Sequence, residues 1–415
     1  MSEHKFYRCY YKLNFVLETS LAIGSGENNY SDKDVMVDNL GVPFIPATAV
    51  TGVLRNYIVQ KDALAADKIF GYVRTKRTDK RTEYDTSVRV YDAYCCDNEK
   101  KFFITSRDCV ELEKKIAKKG LKFDLQAVEP GVEFVGYIEL LEENAEVAVA
   151  VENAFSALNS GDIRLGSKTS RGYGKVSVDV LKTEFSDADK WLDFDMYSSQ
   201  SWADAEKIAL SEKPQYGVKF GLKSVGGLSI REYTTEVSSN ELTMPDYKML
   251  SLHSDEKLPV IPGTSWAGAF RDRFCEILGS KAMTELFGYV KKSDKTTQKS
   301  RIIFSESVLK NGTFKQITRN AINRFTGATK DGALYTEMTY YYGETELEIL
   351  FKDKPNESII NALAVCVADL HYGFLCVGGL TSIGRGLFEI TTVNGKRLDT
   401  DDVFSFIKEE LADVL

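Results

Sequence analysis

One set of sequence blocks occurs twice in this chain, which restricts it to folds that can be built from two similar halves. The first block runs Val42-Pro-Phe-Ile-Pro-Ala-Thr-Ala-Val-Thr-Gly-Val-Leu-Arg55, and its partner runs Leu258-Pro-Val-Ile-Pro-Gly-Thr-Ser-Trp-Ala-Gly-Ala-Phe-Arg271. Pro46 faces Pro262, Gly52 faces Gly268 and Arg55 faces Arg271. Phe70-Gly-Tyr72 then faces Phe287-Gly-Tyr289, and Thr169-Ser-Arg-Gly-Tyr-Gly174 faces Thr381-Ser-Ile-Gly-Arg-Gly386. The separation of matched positions drifts by only a few residues along the chain. Two tandem copies of one domain are predicted.

At 415 residues the chain has room for two domains of ordinary size. Hydrophobic residues make up 43% and charged residues 27%, which suits globular domains with apolar cores. No run of 18 apolar residues occurs, so no membrane-spanning helix is predicted, and the first residues contain no apolar stretch like that of a signal peptide. The expected location is the cytoplasm. The seven cysteines form no C-x-x-C pair, which argues for free thiols over disulfides or zinc ligands. The net charge of −8 is unusual for a nucleic-acid binder, but cations cluster locally. Arg74, Lys76, Arg77, Lys80 and Arg81 follow Gly71-Tyr72, while Lys291, Lys292, Lys295, Lys299 and Arg301 follow Gly288-Tyr289.

Each half reads the same way. An alternating strand (11–21 and 216–228) enters a glycine-containing turn, and a Pro-x-Ile-Pro stretch leads to a helix with Thr48 or Thr264 as N-cap. Short strands follow at 88–92 and 301–305, then an alternating strand, a helix (149–158 and 357–370), the glycine-rich loop and a last strand. Strands and helices interleaved like this predict an α+β fold of two tandem ferredoxin-like, RRM-like domains. The first domain is placed at 1–182 and the second at 214–415, the latter ending in a helix after Asp399. The Asp/Ser/Lys-rich stretch 183–213 reads as a connector with a short helix in its second part.

Together these blocks resemble the RAMP superfamily of CRISPR proteins, and within it the Cas-seven type that polymerises along guide RNA. The residues that carry the resemblance are Pro43-Phe-Ile-Pro46 with Gly52-x-x-Arg55, Gly166-Ser-Lys-Thr-Ser-Arg-Gly-Tyr-Gly-Lys175, and their second-half partners. The segment 317–337 looks like the family's thumb hairpin; its first-half counterpart falls somewhere in 95–131, with 106–109 as a guess. Two fused copies resemble the tandem backbone subunits of type III-D effector complexes. The resemblance implies a ribonucleoprotein that binds crRNA guide and cleaves complementary target RNA. It further implies partners: other RAMP subunits, a small helical subunit and a large polymerase-like subunit.

Cleaving members carry an aspartate between the first glycine turn and the Pro-x-Ile-Pro block. That spacing selects Asp32, with Asp34 close enough to be confused with it, and Asp246 in the second half. The implied chemistry is attack by the RNA's own 2′-hydroxyl, in which alignment alone is worth on the order of 7–11 kcal/mol. A lone aspartate is a weak base, so Asp32 and Asp246 read as ligands of Mg²⁺ or another divalent ion, or as positioners, with base duty open.

Guide binding would fall to other groups. Gly172, Gly174, Gly384 and Gly386 could bring backbone N–H groups to phosphates, with Lys168, Arg171, Lys175 and Arg385 as counter-charges; the alternative is a turn that needs positive φ. Arg55 and Arg271 are phosphate-contact candidates or parts of a solvated helix face. Arg319, Arg324, Phe325 and Lys330 mix cations with an aromatic ring, as RNA grooves do. His253 reads as a loop histidine with an acid–base role open, and His371 as structural. Three rivals stand beside the cleaving subunit: a non-cutting scaffold of the same complex, a guide-processing endoribonuclease, and a protein–protein adaptor that binds no RNA.

Overall fold

The computed structural model describes residues 6–26, 31–73, 82–96, 104–113, 116–211, 216–233, 245–253, 258–291 and 296–414. The chain divides into two compact units, one of residues 1–104, 125–169 and 173–214, the other of residues 105–124, 170–172 and 215–415.

The first unit is built on β1 (Arg8–Leu17), α1 (Ala47–Lys61), α2 (Ala63–Phe70), β2 (Val88–Val90), β5 (Glu133–Leu140), α3 (Ala145–Asn159) and β6 (Val176–Phe185). Between β2 and β5 the chain rises into a two-stranded hairpin, β3 (Ile104–Glu113) and β4 (Ile116–Val128). Alternation in β1 sends Cys9, Tyr11, Leu13, Phe15 and Leu17 into the core, where they meet Val50, Leu54 and Ile58 of α1 and Val151, Phe155 and Leu158 of α3. The strands lie in the order β6-β1-β5-β2, every pair antiparallel. A β-α-β-β-α-β chain with its fourth, first, third and second strands side by side is the ferredoxin-like arrangement.

The second unit repeats it with β7 (Tyr216–Val225), α4 (Gly263–Phe287), β10 (Ile302–Phe304), β13 (Glu344–Phe351), α5 (Glu357–His371) and β14 (Leu387–Val393). Its sheet order is β14-β7-β13-β10, again antiparallel throughout. Trp266, Phe270 and Phe274 recur every four residues along α4 and are fully buried. The C-terminal helix α6 (Val403–Val414) adds Val403, Ile407 and Leu411 to this core. Between β10 and β13 stands a hairpin, β11 (Thr313–Ile322) and β12 (Thr329–Tyr341), flanked by β8 (Arg231–Tyr233) and β9 (Tyr247–Met249). The thumb expected at 317–337 is this hairpin, and β3–β4 occupies the corresponding place in the first half, with 106–109 inside β3.

Two expectations are corrected. Thr48 and Thr264 are not N-caps: Pro46 and Pro262 cap α1 and α4, both extended and without side-chain bonds. In α1 the Ala47 N–H is satisfied instead by the Asp92 carboxylate at 2.6 Å. The stretch 183–213 has its helix early, at Ala188–Leu192, and Glu206–Lys207 pairs with β6. The reason is its aromatics: Trp202 packs with Phe194, Tyr10 and Tyr137 against the face of the first sheet opposite the helices. No helix among the described residues is long and apolar enough to cross a membrane, and Cys9, Cys95, Cys96, Cys275, Cys366 and Cys376 form no disulfide.

Candidate nucleic-acid interface

In the second unit, Asp246 sits directly before β9, which runs parallel to the returning thumb strand β12. Its N–H donates to the Thr336 carbonyl at 2.9 Å, and its carboxylate accepts the Thr336 N–H at 2.6 Å. The aspartate is therefore fixed at the base of the thumb while remaining exposed to solvent.

The next residue on β12, Glu337, is fully buried and anchors this corner. It accepts from Arg385 Nη2 at 2.7 Å and from the Tyr247 hydroxyl at 3.4 Å, and lies 3.5 Å from Arg319 Nη2. The Arg385 guanidinium also donates to the Tyr341 hydroxyl and lies 5.0 Å over that ring. Burial alone would lower the pKa of Arg385, but the Tyr341 hydroxyl and the Glu337 carboxylate outweigh it and leave the pKa raised. Burial raises the pKa of Tyr247, against a lowering by the nearby Arg231 charge. Arg385 is thus a buried, neutralised strut between the glycine-rich loop and the thumb, rather than the phosphate counter-charge expected from sequence.

The glycine-rich loops also serve the fold. Gly174 N–H donates to Ser20 O and Gly386 N–H to Gly227 O, while Gly384 N–H is taken by Thr381 O. With φ near +75° in both halves, a Cβ on Gly174 would strike the Leu165 carbonyl, and one on Gly386 the Val377 carbonyl. These three N–H groups are spent inside the protein, as the turn reading expects. Gly172 is buried with φ of 91°. Arg171 is exposed beside it, Lys168 is half-buried with φ of 58°, and Lys175 pairs with Glu18 at 2.9 Å.

In the first unit the aspartate loop again lies against the returning hairpin strand. The Gln126 N–H of β4 donates to Lys33 O at 2.9 Å, and its side chain accepts the Val35 N–H at 3.1 Å. Within that loop Asp34 is buried and accepts from the Ser31 N–H and hydroxyl, both at 2.8 Å, which marks it as a structural residue. Asp32 is exposed, which separates the two candidates the sequence confuses.

Of the remaining candidates, Arg324, Phe325 and Lys330 stand exposed at the thumb tip, Phe325 entirely so. Arg271 is exposed on α4, but Arg55 is tied to Asp67 at 2.8 Å. Arg74, Lys76, Arg77, Lys80, Arg81, Lys292 and Lys295 lie outside the described residues, as does the side chain of Lys291. Lys299 is exposed, and Arg301 pairs with Asp353 at 3.1 Å. His253 lies 3.9 Å from Glu232, and His371 Nδ1 accepts the Ile390 N–H at 3.1 Å, a structural bond. Among the described residues no three His, Cys, Asp or Glu side chains gather as a metal site. Each aspartate offers a single hard oxygen donor group, which suits Mg²⁺ shared with substrate phosphates and water.

The RAMP superfamily model matches residues 14–177 and 249–389, most of both halves. The chain is a member of the RAMP superfamily. No curated protein sequence gives a significant match. As a RAMP protein with two matched regions, it is a CRISPR-associated, RNA-binding subunit type. Glu337, Tyr247, Tyr341 and Arg231 escape the sequence reading of this RAMP protein. The only hint is that Glu337 ends the thumb-like segment.

Proposed function

We propose that this RAMP protein is a fused double backbone subunit of a type III, III-D-like, CRISPR complex in the cytoplasm, holding crRNA and cutting complementary target RNA. The observation that carries the reading is the repeated placement of an exposed aspartate: in each half, the loop with Asp32 or Asp246 is hydrogen-bonded to the returning strand of a projecting hairpin. A hairpin that wedges between bases splays the backbone beside its base, where the aspartate stands. The splayed 2′-hydroxyl then attacks its own phosphate, and alignment supplies the larger share of the acceleration.

Asp32 and Asp246 hold a divalent ion such as Mg²⁺, which supplies neutralisation of phosphate charge. Phe325 offers a stacking surface for an unpaired base, and Arg324 and Lys330 bring positive charge to the same tip. Arg171, Arg271 and Lys168 contact guide or target phosphates. The other RAMP subunits, the small helical subunit and the large polymerase-like subunit complete the complex.

A second reading, a scaffold that binds RNA without cutting, draws on one observation: the Asp246 carboxylate already caps the Thr336 N–H. The test is cleavage of labelled target RNA by the reconstituted complex with Mg²⁺, comparing wild type with Asp32→Ala, Asp246→Ala and the double variant. Loss of one cut per substitution, with RNA binding retained, supports two active sites. Unchanged cutting in all three variants leaves the scaffold.

A further inference from the structure

Arg231 differs in its pairing from the other partly buried arginines of its unit. Arg273, Arg319 and Arg385 each meet a carboxylate, as Arg8 and Arg55 do in the first unit. Arg231 is half-buried, its Nε is shielded from solvent without a hydrogen-bond partner, and no carboxylate among the described residues pairs with it. Its guanidinium is nonetheless held in place. It lies 4.4 Å over the Tyr247 ring, whose hydroxyl is tied to Glu337. On another side it meets the glycine-rich loop, where a Cβ on Gly379 would lie 3.6 Å from Nε and 3.9 Å from Cζ.

A partly desolvated cation with no carboxylate partner among the described residues favours an external anion, since that anion relieves the cost of burial. A guanidinium stacked on an aromatic ring keeps its N–H edge free, and that planar fork matches two oxygens of one phosphate. Arg231 lies on β8, which pairs with β9, and β9 begins one residue after Asp246, so the fork belongs to the same corner of the unit as the candidate cleavage residue.

We propose that Arg231, stacked on Tyr247 against the glycine-rich loop, seats one RNA backbone phosphate at the β8–β9 strand pair that Asp246 precedes. The inference rests on the RNA-binding reading above, and it names the group that fixes the register of the backbone at the second site. Arg231 is a binding residue for the strand there, distinct from the neutralised Arg385.

The test uses the reconstituted complex with wild type, Arg231→Ala and Arg231→Lys, with target RNA binding measured over a range of salt concentrations. Loss of one phosphate contact lowers the salt slope by about 0.7–0.9 in Arg231→Ala. Arg231→Lys keeps the slope and loses the bidentate geometry, so the cut at the Asp246 site slows by about tenfold or more. Methylphosphonates placed one at a time in the target strand, and separately in the guide, locate the contact. One position weakens wild-type binding and leaves Arg231→Ala unaffected, and the strand that holds it identifies the source of the phosphate. Wild type that binds RNA with the full salt slope, alongside an Arg231→Ala variant with the same slope and the same methylphosphonate profile, overturns the proposal while leaving the RNA reading intact. Absence of salt-dependent RNA binding by the wild type overturns both. If Arg231→Ala fails to assemble, the Arg231→Lys cleavage ratio and methylphosphonate profile decide.

Discussion

Removing the charge of Glu337 should be among the most damaging single changes available in the second unit. Glu337→Gln keeps the volume but leaves the Arg385 guanidinium, 4% exposed, without its carboxylate. Arg385 and Arg319 face Oε1 and the Tyr247 hydroxyl donates to Oε2, so the single amide oxygen of glutamine cannot serve them all. Breaking a buried pair from one side costs about 3–5 kcal/mol, because the remaining charge stays desolvated. For a unit of this size, each kcal/mol moves the melting temperature by about 2–4 °C, so a drop of about 6–20 °C is expected. The assay is calorimetry of the full chain, in which the transition of the second unit shifts down and that of the first stays in place. The double variant Glu337→Leu/Arg385→Met removes both charges and should recover at least half of the loss. A loss below about 1 kcal/mol, or a double variant no better than the single, refutes the view that this pair bears the load at the thumb base.

Gly386→Ala places a Cβ against the Val377 carbonyl at positive φ and should destabilise the second unit by about 1–3 kcal/mol, with Gly174→Ala doing the same to the first, measured by urea unfolding. Trp202→Ala removes the ring that packs on Tyr137 and should cost the first unit about 3–5 kcal/mol, seen as a lower melting transition. Burial, only partly opposed by the Lys182 charge, pushes the Cys9 thiol up to about 12. Cys9 should therefore resist alkylation at pH 8 in native protein while exposed Cys96 reacts, as read by mass spectrometry. The sign follows from the raised value: nothing is lost below the free-thiol pKa of about 8.5, and above it stability falls by about 1.4 kcal/mol per pH unit until pH 12. Phe325→Ala leaves stability unchanged and weakens RNA binding by about 1–3 kcal/mol, measured by titration of the assembled complex.

The sheets and core helices were legible because their signals are local: alternation in β1 and β7, the four-residue recurrence of Trp266, Phe270 and Phe274, and Pro-x-Ile-Pro before each long helix. Duplication made them firmer, since each half served as a check on the other. The thumb of the second half was legible through cations set beside an aromatic ring, Phe325, whereas the β3–β4 segment has cations and Gly120 but no aromatic ring between Ile104 and Lys122. Glu337 was not legible, because a carboxylate in an alternating strand looks solvent-facing until its partner 48 residues later in the chain, Arg385, folds back onto it. The glycine loops read two ways because sequence shows that a residue allows close approach without showing what approaches. In both halves it is the chain's own carbonyls. The stretch 183–213 looked like a linker because its charged residues outnumber its five aromatics, which decide where it lies.

Those aromatics also set a schedule for synthesis. Tyr10 and Tyr137 end up 6% and 8% exposed under residues that leave the ribosome after β1, β2, β5 and β6 have been made. About 20 residues separate the end of β6 from the small strand Glu206–Lys207, or roughly 1–4 s of translation. During that interval the nascent sheet carries an aromatic face that Trp202 has yet to cover.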